Sequence, residues 1–265
     1  MKNGQQKIHF WNGNKSSTRR EYEIQLLSLC LEQAGMLDAE IVVDQKDYPS
    51  AIDEGNIFST ECDVLVTVAG NQKFLGKPII VIEQALCCGL LGHRLLIITK
   101  EHTEHFAKLD SLEQLQQMTV GIPATWADAD LFRHNGFKVS EKGSLDELFG
   151  RLLDKQFDYI ALGANEVETI FKEFLQAHQQ ELSDQSCALL IEPTMLIYYP
   201  LPLVFYVHPD RKDLASAIER GLKIAIANGK HQSLFEMHHP NLVNRLDLRG
   251  RKKFQLANPH LPAAF

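Results

Sequence analysis

Short apolar runs and amphipathic stretches alternate along much of the chain. "KIHFW" (7–11) predicts a strand and "NGNKSST" (12–18) a polar loop. "RREYEIQLLSLCLEQAG" (19–35) carries apolar residues at helical spacing, with Gly35 as its stop signal. Ser16, Ser17 and Thr18 form a hydroxyl-rich run with no partner histidine at a recognisable spacing, so capping the following helix is the better reading. "AEIVVDQ" reads as a strand, "YPSAIDEGNIF" as a short helical segment and "CDVLVTVAG" as a buried strand. "KPIIVIEQAL" and "HRLLIITK" follow as two apolar runs around a Gly-containing turn. Strands and helices in alternation imply a mostly parallel α/β sheet.

The charged connection "EHTEHFAKLDSLEQLQQ" opens a second block. In "QMTVGIPATWADADLFRHNGFKV" (117–139), Met118, Val120 and Ile122 suit a short buried strand, and Gly121, Pro123 and Ala124 break the run. Thr125 is then expected to cap a helix, with Asp128 near its exposed N–H groups and Gly136 closing it. The strand "FKVSE", the helix "SLDELFGRLLDKQ", the strand "FDYIAL", the helix "NEVETIFKEFLQAHQQ" and the strand "CALLIEP" repeat the pattern. After "MLIYYPLPLVFYVH" the chain has a helix "KDLASAIERGLKIAIANG", a short helix around "HQSLFEMHH" and a loop-rich tail. Two α/β blocks with a remainder that repeats neither predict an insertion. Residues 1–99 plus 196–265 form a first lobe, and 100–195 an inserted second lobe. Two crossings would join them, with a ligand cleft between the lobes.

Composition narrows the function classes. With 45% apolar and 23% charged residues, the chain can bury a full core. A net charge of −7 argues against nucleic acid or an anionic membrane as partner. The basic cluster Arg249, Arg251, Lys252 and Lys253 reads as a solvated surface stretch. No run is long and apolar enough to span a membrane, and "MKNGQQKIHFWNG" has no apolar signal-peptide core. That leaves a cytoplasmic protein or a mature form supplied without a leader. Cys30, Cys62 and Cys187 sit among apolar residues as inert thiols do; with Cys87 and Cys88 the count is odd, and no C-x-x-C pair occurs. His102 and His105 have metal-compatible spacing but read as part of a surface helix, and adjacent His238 and His239 cannot easily share a metal. No G-x-S-x-G, P-loop or G-x-G-x-x-G motif is present, so no catalytic constellation, metal or cofactor is expected.

Five ordered pieces carry a resemblance over nearly the whole chain. They are "EGNIFSTECDVLVTV", "GKPIIVIEQALCCGLLGHRLLIIT", "LDSLEQLQQMTVGIPATW", "LLDKQFDYIALGANEV" and "DLASAIERGLKIAIANGKHQSLF". Their order and spacing resemble the periplasmic solute-binding proteins of the polar-amino-acid class, extracellular solute-binding family 3. The resemblance implies a two-lobed, type II periplasmic-binding-protein-like α/β fold and a periplasmic location. It also implies a non-enzymatic monomer that captures a small anionic or amino-acid-like solute, working with a membrane permease or a sensor protein. The runner-up is a sensory module that signals through protein contacts. The cleft residues implied are Trp11, Ala69, Lys73, Thr125, Trp126, Asn165 and Glu166. Trp11 reads equally as core packing. Of Tyr198 and Tyr199 in the crossing segment, alternation turns only one toward the cleft. Two departures stand out. Lys73 replaces the arginine that forks onto a ligand carboxylate, and Gly163, Ala164 and Asn165 occupy the stretch that carries an aspartate for the ammonium, with Glu166 following.

Overall fold

The computed structural model describes residues 6–177 and 188–265. The apolar runs become strands: β1 (Lys7–Trp11), β2 (Glu40–Asp44), β3 (Val64–Val68), β4 (Ile80–Ile82), β5 (His93–Thr99) and β6 (Thr119–Ile122). They continue with β7 (Lys138–Glu141), β8 (Tyr159–Gly163), β9 (Leu189–Ile191), β10 (Met195–Tyr198), β11 (Leu203–Val207) and β12 (Lys252–Gln255). The amphipathic stretches become α1 (Ser17–Gln33), α2 (Ala51–Gly55), α3 (Thr103–Ala107), α4 (Leu112–Gln116) and α5 (Asp128–His134). After these come α6 (Leu145–Leu153), α7 (Val167–Ala177), α8 (Lys212–Ala227), α9 (Lys230–His238) and α10 (Leu242–Arg245). Cys187 and the last turn expected of the helix at 165–180 lie outside the described residues.

The chain divides into two compact units, Met1–Cys88 with Pro202–Asn241 and Pro262–Phe265, and Gly89–Leu201 with Leu242–Leu261. The first holds a five-stranded sheet in the order β2-β1-β3-β11-β4. Its central β3 is parallel to β1 and antiparallel to β11, and Val64, Leu65 and Val66 are fully buried, as an unbroken apolar run requires. On this sheet α1 crosses α8 so closely that a Cβ built on Gly221 would run into the Cys30 carbonyl. The second unit holds a seven-stranded sheet in the order β12-β10-β5-β8-β6-β7, with β9 also on β5. Here β5 runs antiparallel to β8, β9 and β10, while β6 is parallel to β7 and β8.

In sequence, the segments 89–201 and 242–261 of the second unit interrupt those of the first. Residues 93–99 belong to the second unit because β5 hydrogen-bonds three of its strands. The tail is not merely loops. β12 pairs in parallel with β10 and takes 242–261 into the second unit, so the chain changes unit after Cys88, Leu201, Asn241 and Leu261 rather than twice. In the basic cluster Arg249, Lys252 and Lys253 are exposed, as a solvated stretch requires, and Arg251 is the half-buried exception. Arg251 donates to the carbonyls of Leu246 (2.7 Å), Glu192 and Met195, and Lys253 Nζ lies 5.1 Å from the centre of the Tyr198 ring.

Candidate functional site

In the first unit, Trp11 ends β1 in a core cluster with Leu65, Ala69, Phe74 and Tyr206. Its indole N–H donates to the Lys46 carbonyl (2.9 Å), and its ring lies 5.9 Å from that of Tyr48. Asn14, in the loop after β1, adopts a positive φ of 53°. From there its side-chain amide donates to the Tyr48 carbonyl and to Glu54 Oε2, both at 2.9 Å. The same Glu54 oxygen takes Lys73 Nζ at 2.7 Å, and both side chains are largely buried. Lys73 is thus held against a carboxylate of its own unit.

In the second unit the expected cap at Thr125 gives way to a different turn. Thr125 has a φ of 69°, and α5 begins three residues later behind Ala127, which supplies no side-chain cap. The physical reason is an intervening turn, in which Trp126 N–H reaches the Pro123 carbonyl and Ala129 N–H reaches that of Trp126. The N–H of Thr125 donates to Glu141 Oε1 (3.0 Å), whose other oxygen takes Arg133 (2.6 Å). A carboxylate of the protein therefore takes up the Thr125 N–H. Trp126, next in the chain, is half-buried.

Asn165 and Glu166 follow β8, and both are buried. They lie in a polar cluster that sequence reasoning missed. Arg94, 2% exposed, sits on β5 within the run "HRLLIIT". Its Nε donates to the Tyr199 hydroxyl (2.6 Å) and its Nη2 to Asp128 Oδ1, which also accepts from Tyr199. Glu166 Oε1 stands 3.8 Å from Arg94 Nη1. Burial pushes the Tyr199 hydroxyl above its ordinary pKa, opposed by the Arg94 charge, so Tyr199 remains a neutral donor. Of the adjacent tyrosines, Tyr199 enters this cluster while Tyr198 packs on His93 at 4.7 Å between ring centres. A signal for Arg94 did exist, since a lone arginine in an apolar strand needs buried partners. The structure thus gathers Trp11, Ala69 and Lys73 in one unit, and Asn165 and Glu166 around Arg94 in the other.

Among the described residues, no group of three or more His, Cys, Asp or Glu side chains is arranged to hold a metal ion. Nor is any described helix long and apolar enough to cross a membrane.

The architecture defines the class: this is the two-lobed α/β fold of periplasmic-binding-protein-like domains. A histidine kinase sensor domain with similarity to periplasmic binding proteins aligns with a TM-score of 0.62 at 12% identity, over 89% of this chain and 97% of that one. An arginine transport-system periplasmic binding protein from Legionella pneumophila aligns at 0.57 and 15% identity, over 88% and 99%. A substrate-binding protein of an amino acid ABC transporter from Streptococcus pneumoniae, bound to L-arginine, aligns at 0.58 and 9%, over 88% and 93%. These likenesses establish the fold. No protein-family model and no curated protein sequence matches the chain.

Proposed function

We propose that this chain is an extracytoplasmic solute-recognition module, serving uptake or sensing, whose solute carries no net negative charge. The observation that supports this most is the Lys73–Glu54 ion pair at 2.7 Å. It removes the positive charge on which an anion would depend, and Glu141 does the same for the Thr125 N–H. The reading keeps Trp126, Asn165 and Glu166 of the second unit as solute contacts and assigns no direct solute contact to Thr125 or to Trp11, Ala69 and Lys73 of the first unit. It assigns no catalytic role, and its partners are a small neutral or zwitterionic solute and a permease or sensor protein.

The test is a panel of amino acids, dicarboxylates, other organic anions and neutral sugars, scored by melting temperature and calorimetry on wild type and Glu54→Gln. A solute at a hundredfold excess over its Kd stabilises by about 2.7 kcal/mol, a rise of several degrees at this size. Wild type should respond to uncharged or zwitterionic solutes only, and Glu54→Gln should gain dicarboxylates. Dicarboxylate binding of equal strength in both proteins would refute the neutral-solute reading. A second reading, a sensory module that signals through protein contacts, draws support from the same filled position. Under it, no member of the panel shifts the melting temperature.

A further inference from the structure

β12 closes one end of the seven-stranded sheet, paired with β10 on one side and with no described strand on the other. In a parallel ladder, alternate residues turn their backbone groups to the same neighbour. The N–H of Lys252 donates to the Thr194 carbonyl (2.8 Å) and that of Leu256 to the Tyr198 carbonyl (2.8 Å), so the even positions face β10. The N–H and C=O groups of Lys253 and Gln255 therefore point along the open edge, and both residues are exposed. Ala257 comes next in this alternation and shows what the edge accepts. The side-chain amide of Asn135 takes its N–H at 2.9 Å and donates to its C=O at 2.7 Å, the two bonds a neighbouring strand would make.

Charge decides which strand can extend that line. From Arg249 to Ala257 the chain carries four basic residues and no acidic one. Arg249, Lys252 and Lys253 are exposed, while Arg251 is turned onto backbone carbonyls. Lysines on an open edge ordinarily keep other strands from adding to it. A second copy of this chain meets that barrier, since it brings another basic strand to the edge. Opposite charges on facing strands attract, so an acidic strand meets the same lysines as partners. Lys252 and Lys253 project from opposite faces of β12, so acidic side chains on either face of an added strand find one.

We infer that the open edge of β12 is a docking surface for an extended acidic segment of another protein, added as a further strand beside Lys253 and Gln255. The inference goes beyond the solute-recognition reading and does not depend on it.

The test uses capped hexapeptides of alternating Glu-Thr, Gln-Thr, Lys-Thr and Glu-Pro, titrated onto the full chain at low salt. Binding is followed by the NMR shifts of the Lys253 and Gln255 backbone amides and by calorimetry. Glu-Thr should bind best, move both amides and weaken as added salt screens the charges. Glu-Pro has the same charge but lacks half of the backbone N–H groups, and should bind about fivefold more weakly. Lys252→Gln combined with Lys253→Gln should weaken Glu-Thr to a similar degree. Gln255→Pro keeps every charge and removes one outward N–H, a change that an edge strand tolerates. It too should weaken Glu-Thr, with the melting temperature little altered. Equal binding of Glu-Thr and Glu-Pro would make this a patch of charge without strand addition, and overturns the inference. So does equal binding of Glu-Thr and either Gln-Thr or Lys-Thr, and so does no binding of Glu-Thr to wild type. Dimerisation of wild type that is lost in Gln255→Pro would assign the edge to a second copy, against the proposal.

Discussion

Individual side chains show two ways of living with buried polarity. Glu23, 1% exposed, is held between Lys15 at 2.6 Å and Arg19 at 2.8 Å, so a buried carboxylate meets two basic side chains. His231 takes the other route. Its Nε2 contacts the Leu86 carbonyl (3.0 Å) and the Tyr22 hydroxyl (3.4 Å), and burial lowers its pKa despite the carbonyl contact. The sign of the consequence follows from linkage. Unfolded, the imidazole takes up a proton near its ordinary value of about 6.5 while the folded chain resists it. The contribution of His231 is therefore complete above that value and is lost as pH falls from it toward the lowered folded pKa. Chemical denaturation at pH 7.5 and at pH 5 should show this as an acid-side loss of stability, and His231→Gln should flatten that part of the profile. An unchanged slope in the variant would mean that folding leaves the proton affinity of His231 unaltered.

At the scale of elements, two helical glycines make opposite predictions. Gly150 lies on the exposed face of α6, and a Cβ there meets nothing within 4 Å. Gly150→Ala should stabilise by about 0.5–1 kcal/mol, because alanine loses less backbone freedom on entering a helix. Gly221 of α8 is pressed on the α1 backbone at Cys30, so the same change there must force two helices apart. It should cost about 1–3 kcal/mol in spite of the better propensity. Urea titration of both variants checks the pair, and a stabilised Gly221→Ala would show that the crossing is looser than described.

The elements legible in the sequence were those whose stability is local or strongly patterned. The runs at β3, β5 and β11 and the periodic stretches at α1, α6 and α8 all appear where expected. β12 was not legible, because "KKFQ" has one apolar residue and becomes a strand only by pairing with β10. The cap at Thr125 failed for a comparable reason. Its N–H is satisfied by Glu141, sixteen residues on, and no local rule anticipates that partner. At the candidate site, Asn165 and Glu166 followed from the resemblance. Arg94 did not, since its partners Asp128 and Tyr199 lie 34 and 105 residues away in sequence.

On the scale of the whole molecule, the segment after Asn241 stabilises the second unit through side chains as well as strand pairing. Leu246, Leu248, Phe254 and Leu256 are all buried, and Arg251 ties the turn before β10 through the Glu192 and Met195 carbonyls. Burying each such apolar side chain contributes about 1.5–3 kcal/mol. Four together approach the whole stability of an ordinary domain, about 5–15 kcal/mol. A chain stopped at Asn241 should therefore lose amide-exchange protection in β5 and β10 before it does so in β1 and β3. Equal protection in all four strands would show that the tail adds little.

The position of β11 between β3 and β4 also bears on how the chain is made. On the ribosome, β3 emerges long before its neighbour, because Val68 and Leu203 are separated by the entire inserted segment. At ~5–20 residues per second that interval is on the order of ten seconds. Throughout it, the valine-rich edge of β3 is open to any other nascent strand. Heterologous synthesis of this protein should accordingly be sensitive to translation speed and to chaperones that shield newly made strands, even where the finished molecule is stable.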